Sequence, residues 1–359
     1  MKYSSGIEGR RDSFCIRYSL SDLNKLQKEL SSNNIDTIRE KYGVTDCRDW
    51  SLGTAMEDIK SSYNPTTITY RPFDYRFTSL SKLSHRFIGY SFYEVMQHFD
   101  NKENLGISFV RQFSDAKGYS NVLVSQYPIE RRTNYSFQGG AFIAPLYIYG
   151  ENLDGESPGK ISKIPNFTRS FNNNYLVSLN WQPSPEEVMS YIYAVLHSLI
   201  YRTKYIEFLR TEFPAIPMTK NKIIFNKYAK LGKKLIDLHL LVNLPDDKSI
   251  NVVFGDIKGT FIFEKIDYAN NCINITVTPV DKTSKGGLIV FKGVSASIFD
   301  FEIGARKPID LWIKNRIKDK VHIKIDDLQH IKNMIISIKE TIKIMEQINT
   351  IGEEYLIDN

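Results

Sequence analysis

Ser184-Pro-Glu-Glu-Val-Met-Ser-Tyr-Ile-Tyr-Ala-Val-Leu-His-Ser198 decides how the rest of the chain is read. Ser184 can accept N–H hydrogen bonds left open at a helix start. Pro185 fits the first helical position, where its missing N–H does no harm, and Glu187 completes a capping box. Val188, Ile192, Val195 and Leu199 then form an apolar stripe at helical spacing. The helix must stop before Pro214.

Upstream of this helix the period is that of strands. Ile107–Arg111, Val122–Tyr127 and Ala141–Tyr149 are rich in β-branched and aromatic residues. A helix around Phe92–Phe99 interrupts them, and Asn152–Lys163, with Gly155, Pro158 and Gly159, reads as a polar loop. Before about Ile68 the pattern is helical again. Ser19 and Ser21 can cap a helix bearing Leu20, Leu23, Leu26 and Leu30, followed by short helices over Ile35–Lys41 and Leu52–Ile59. Ile7-Glu8-Gly9-Arg10 matches a protease site used to remove tags, so residues 1–10 read as a leader on a piece of a longer protein.

Downstream, a helix is expected from about Ile224 to Leu241. A β meander follows, with Asn270-Asn271 and Gly286-Gly287 as its turns. Pro308 opens a short helix carrying Trp312. A long helix from about Asp327 lines up Leu328, Ile331, Ile335, Ile338, Ile342, Met345 and Ile348. The fold class expected is α+β: two β-rich parts joined by a helical spine, with a long C-terminal helix. Its segments are a helical connector (11–67), a first β-rich part (68–183), the spine (184–245), the meander (246–303) and the C-terminal helices (304–359).

Composition narrows the functional classes. With 359 residues, 42% hydrophobic and 25% charged, the chain is a folded protein long enough for more than one core. No apolar run reaches the 18 or so residues of a membrane span, and no signal core precedes the first helix, so a cytoplasmic location is expected. Cys15, Cys47 and Cys272 are too scattered for a disulfide framework or a zinc motif. Lys and Arg number 47 against 41 acids, a net charge of +6 that permits a polyanionic partner.

Catalytic signatures are sparse. Gly159-Lys160 lacks the spacing of a phosphate-binding loop, and neither a dinucleotide glycine turn, a nucleophile elbow nor a zinc-binding histidine pair occurs. Asp246, Asp256 and Lys258 outline a PD-(D/E)xK nuclease, in which two acids hold Mg²⁺ on a phosphate and the lysine stabilises the attacking water. Gly255-Asp-Ile-Lys-Gly259 equally suits an ordinary hairpin tip.

Basic residues cluster more informatively. Tyr201–Lys234 holds nine Lys/Arg against Glu207 and Glu212, and Ala305–Lys324 holds seven against Asp310 and Asp319. A third group mixes arginine with aromatics: Tyr70, Arg71, Phe73, Tyr75 and Arg76, then Arg111, Arg131, Arg132 and Tyr135. Arginine forks onto phosphates or guanine edges and lysine supplies phosphate contacts. Solvated helix faces, and an ion pair of Arg71 or Arg76 with Asp74, are the alternatives.

These residues carry a family likeness. Tyr70-Arg-Pro-Phe-Asp-Tyr-Arg76, Glu94–His98, Leu105–Gln112, Pro145–Tyr149 and Pro165–Phe167 recur in order. The 184–198 segment, Tyr201-Arg202, Phe208-Leu209, Phe213–Pro217, Leu231-Gly232, Leu238–Leu241, Gly304–Arg316, Asp326–Leu328 and Glu340–Met345 follow them. Together they resemble the specificity region of Type ISP restriction–modification enzymes and related adenine-specific DNA methyltransferases over nearly all of residues 11–350. Ala215 stands where that family has an arginine, and Leu199 where it has a proline.

The resemblance implies a methyltransferase domain preceding this region in the parent chain, with an Asn-Pro-Pro-Tyr loop for a flipped adenine and S-adenosylmethionine as cofactor. Here Asn64-Pro65 runs into Thr66-Thr67, and the glycine turn expected for S-adenosylmethionine is missing. The chain therefore reads as a target-recognition domain without a cofactor of its own. Its expected partners are double-stranded DNA and the methyltransferase of the same parent. Expected DNA contacts are Arg71, Arg76, Arg111, Arg131 and Arg132 to bases or phosphates, and Lys220, Lys222, Arg306 and Lys307 to phosphates. Two other readings stand beside it, the Mg²⁺-dependent nuclease and a helical docking module that never touches DNA.

Overall fold

The computed structural model describes residues 1–114, 118–135, 139–151, 161–255, 257, 259–281 and 286–355. The protein is α+β and ends in the long helix that its periodicity announces. It forms two compact units, one of residues 1–189 and 207–215, the other of residues 190–206 and 216–359.

In the first unit β1 (Ser4–Ser5) precedes four helices: α1 (Asp12–Cys15), α2 (Leu20–Ser32), α3 (Ile35–Tyr42) and α4 (Leu52–Ser62). Local chemistry starts the longer ones. Ser19, Asn34 and Ser51 each accept a backbone N–H from the first turn of α2, α3 and α4. Leu23, Leu26 and Leu30 of α2 turn inward onto a core with Ile38, Trp50 and Leu52. β2 (Pro65–Arg71) and β3 (Asp74–Ser79) make a hairpin, followed by α5 (Tyr93–Met96). β4 (Gly106–Val110), β5 (Leu123–Ser125) and β6 (Ala141–Pro145) join β1 in an antiparallel sheet of order β1-β6-β4-β5. β7 (Tyr147–Glu151) and β8 (Ile161–Pro165) form a further hairpin. Residues 152–160 of the expected polar loop lie outside the described residues.

Residues 1–10, read from the sequence as an appended leader, pair with the first unit. Ser4 and Ser5 pair with Ile143 and Phe142 of β6. Ile7 has no exposed surface; its N–H donates to Ile129 O at 2.8 Å, and its carbonyl accepts from Arg131 N–H at 2.9 Å. Glu8 and Tyr90 exchange both backbone bonds. Gly6 passes so close to the 130–131 backbone that a Cβ there would lie 2.6 Å from Arg131 N, which is why a glycine stands at this point.

α6 (Pro185–His197) begins in the first unit and ends in the second. The capping box is present: Ser184 N–H donates to Glu187 at 2.7 Å, and Glu187 N–H donates to Ser184 Oγ at 3.1 Å. The apolar stripe stops one residue early, however. Ser198 turns extended and its Oγ accepts Tyr201 N–H, starting a new helix, α7 (Leu199–Lys204), on which Leu199 is 50% exposed.

The short α8 (Ile206–Leu209) and the long α9 (Lys222–His239) follow. In the second unit β9 (Asn251–Phe254), β10 (Phe261–Ala269), β11 (Cys272–Pro279) and β12 (Gly287–Lys292) form the meander. α10 (Ala296–Phe299) and α11 (Pro308–Lys318) come next, and β13 (His322–Ile323) precedes α12 (Ile325–Tyr355). The sheet order is β13-β10-β11-β12-β9. Asn270 and Asn271, at φ of 52° and 56°, make the tight turn their identity promised. On β11, Ile273, Ile275 and Val277 are buried while Thr276 and Thr278 face out, so one face of the sheet carries the core.

Candidate nucleic-acid interface

The Tyr70–Arg76 stretch turns between β2 and β3 at Phe73, which is buried with φ at 61°; burial of the ring holds a backbone region that bulky residues avoid. The register sets two arginines against one ring. Arg71 and Arg76 each lie 3.9 Å from the Tyr70 ring centre, and Arg76 also lies 4.0 Å from that of Tyr18. Arg76 donates twice to Asp74, at 2.9 and 3.1 Å, with both side chains buried. Arg71 does not pair with Asp74 but with Glu130. The ion-pair alternative thus describes Arg76, and both arginines belong to the frame of the hairpin. Burial raises the Tyr70 hydroxyl to about 12, so it stays neutral.

Glu130 links this frame to the surface. Its carboxylate also accepts the Arg132 N–H at 2.8 Å, which fixes the main chain where Arg131 and Arg132 diverge. Next to them opens a cleft of about 680 Å³, walled by residues 8–13 on one side and by residues 130–132, Tyr135 and Gly139 on the other. Arg131 is ion-paired with Glu8. Arg10 pairs with Asp49 at 3.1 Å and with Glu8 at 3.5 Å, and lies 4.9 Å from the Tyr90 ring centre. Arg11 donates to two main-chain carbonyls, Thr45 O and Arg10 O, both at 2.9 Å. Arg132 is exposed, and no carboxylate pairs with it among the described residues. Arg10 and Arg11 are what sequence reading missed. The tag-like Ile-Glu-Gly-Arg match set Arg10 aside, and Arg11, assigned to the helical connector, was not weighed with the basic clusters.

The remaining expected contacts lie elsewhere. Arg111 is half exposed, 4.0 Å from Glu212 and 5.8 Å from the Phe213 ring centre. Phe213 packs edge-on against Tyr3, Phe109 and Phe142. In the second unit Lys220 and Lys222 are exposed around Asn221, which caps α9 by accepting from Ile223 and Ile224 N–H. Arg306 is exposed, and Lys307 donates to Asp300 at 2.6 Å, which raises its pKa. Two members of the helical basic clusters turn inward. Arg202 donates to Leu196 O at 2.6 Å, and Arg316 lies 3.3 Å from the Trp312 ring centre. The solvated-face alternative therefore describes only part of each cluster.

Of the nuclease outline, Asp246 is exposed, whereas Asp256 and Lys258 lie outside the described residues. Among the described residues no three His, Cys, Asp or Glu side chains gather as a metal site would require. No described helix is long and apolar enough to cross a membrane.

With the geometry in place, residues 1–347 match the model of the Type ISP C-terminal specificity domain. The chain belongs to that family. Its match starts at the first residue, consistent with β1 being part of the fold. The specificity domain is similar in structure to the ATP-dependent Type ISP restriction–modification enzyme LlaBIII bound to DNA, with a TM-score of 0.68 at 21% identity, over 97% of this chain and 23% of that one. It is also similar to a nuclease-deletion mutant of the Type ISP enzyme LlaGI in complex with a DNA substrate mimic, with a TM-score of 0.64 at 18% identity, over 97% of this chain and 33% of that one. The DrdV–DNA complex gives a TM-score of 0.64 at 19% identity, over 98% and 35%. The specificity domain thus spans only a quarter to a third of these chains, and identities this low establish the fold. No curated protein sequence matches it.

Proposed function

We propose that the chain recognises a DNA sequence and places the catalytic parts of a larger restriction–modification enzyme on it. One observation carries this reading. Each unit leaves cations at its surface, Arg111, Arg131 and Arg132 in the first and Lys220, Lys222 and Arg306 in the second, while Arg71, Arg76, Arg202 and Arg316 are turned into the fold. Family membership and the DNA held by the similar structures support it. Exposed guanidinium and ammonium groups contact phosphates or base edges, with Lys307 assisting from its ion pair. The buried arginines act indirectly by holding the hairpin.

In this proposal the parent carries an adenine-N6 methyltransferase that uses S-adenosylmethionine, and the protein works in the cytoplasm as part of a bacterial defence. The specificity domain supplies position and no cofactor chemistry. The test is equilibrium binding of the 359-residue chain to DNA duplexes. Binding is expected, with log K falling linearly against log salt concentration as counterions are released. A chain that binds no duplex even at low salt contradicts the proposal and favours the docking module. For the catalytic detail, joining the chain to the parent's methyltransferase should transfer labelled methyl groups to adenine; label on cytosine alone contradicts it.

A further inference from the structure

Resting on that reading, we propose that the cleft between residues 8–13 and 130–132 is a phosphodiester site in which Arg132 and Arg11 hold a backbone phosphate, while Arg10 and Arg131 set its walls and Arg71 braces Glu130 behind them.

The assignment follows from where the charge is already balanced. Arg131 and Arg10 share Glu8, Arg10 also holds Asp49, and Arg71 holds Glu130. Three guanidinium groups thus face three carboxylates, and a phosphate entering the cleft meets neutral pairs in place of bare anions. Two arginines remain. Arg11 is tethered by main-chain carbonyls, which orient a guanidinium without neutralising it. Arg132 has its main chain pinned by Glu130 and its side chain exposed. Against these two stands Asp12, whose carboxylate takes the Tyr70 hydroxyl at 3.4 Å. The surplus is one positive charge, carried on two planar forks that suit phosphate oxygens. A cleft of about 680 Å³ also admits the flanking sugar.

The Tyr70–Arg76 hairpin gains a role from this. Arg71 is a positioning residue: through Glu130 it reaches the Arg132 main chain, so the motif that carries the family likeness steadies the cleft from behind.

The experiment measures binding of the wild-type chain and of Arg132→Ala, Arg11→Ala and Arg132→Lys to a panel of duplexes across salt concentrations. Each alanine variant should bind every duplex more weakly by the same several-fold factor, and its log–log salt slope should fall by up to about 0.9, the value for one neutralised phosphate. Arg132→Lys should recover most of the affinity, because a phosphate accepts a point charge. An unchanged slope in both alanine variants overturns the proposal. So does an Arg132→Lys variant that keeps the slope but changes which duplexes it prefers, since that is the mark of a base contact. Melting temperature shows whether each variant folds; should Arg132→Ala melt low, Arg132→Lys and Arg11→Ala carry the test. If inorganic phosphate or a mononucleotide binds as tightly as duplex, the ligand is a free phosphate and not a DNA backbone. A wild-type chain that binds no duplex fails earlier and sinks the DNA reading itself.

Discussion

Removing the Asp74 carboxylate leaves the Arg76 guanidinium buried without its ion partner, and one-sided truncation of such pairs typically costs about 3–5 kcal/mol. Asp74→Ala should therefore lower the urea midpoint of the first unit; an unchanged midpoint contradicts a framework role for the pair. Sequence alone could not separate Arg71 and Arg76 from Arg131 and Arg132. Arginine beside tyrosine is the pattern of base stacking and equally of a cation–π stack inside a hairpin. Only the β2–β3 register, which sets both arginines on Tyr70, decides it. Arg10 was lost for a different reason. A four-residue match set residues 1–10 aside, and the partners that tie them into the fold, Tyr90, Ile129, Arg131 and strand β6, lie far along the chain.

Elements that rest on local chemistry were the legible ones. The box at Ser184 and Glu187 and the turn at Asn270-Asn271 all sit where the residues placed them. Ser184→Ala should cost about 1 kcal/mol, read from the same urea transition. Ser198 was not legible as a break, because Leu199 continued the stripe and only the recapping bond to Tyr201 ends it. Packing between elements was invisible as well. Gly232 of α9 faces α6 so closely that a Cβ would lie 1.8 Å from Ser190 O. Gly232→Ala, favourable by helix propensity, should nonetheless destabilise the second unit by about 1–3 kcal/mol. A stabilised variant contradicts this packing.

At the scale of the whole molecule, pH and DNA give the two readouts. In the second unit His239 and His197 are buried; burial, aided by Arg202, lowers the His239 pKa to about 3 and His197 well below its ordinary value. His239 meets Tyr193 and Thr341, and His197 bonds the Tyr193 carbonyl at 2.8 Å. The unfolded chain takes up protons near pH 6.5 and the folded chain does not, so this stability is complete above 6.5 and lost as pH falls. His239 alone accounts for a loss of about 2 kcal/mol at pH 5, and His197 acts in the same direction. A melting temperature that stays flat from pH 7 to 5 contradicts neutral buried histidines. The α+β class, the long C-terminal helix and the family were readable because they rest on many short patterns in order. The residues that meet DNA were not, since exposure and pairing are properties of the folded surface.

The most direct test of the central claim is retention of pooled random duplexes by the full chain at low and at moderate salt, with sequencing of what is held. Sequence recognition predicts one enriched motif that persists at the higher salt. Retention that vanishes there, with no motif at either salt, contradicts target recognition and leaves only a basic surface.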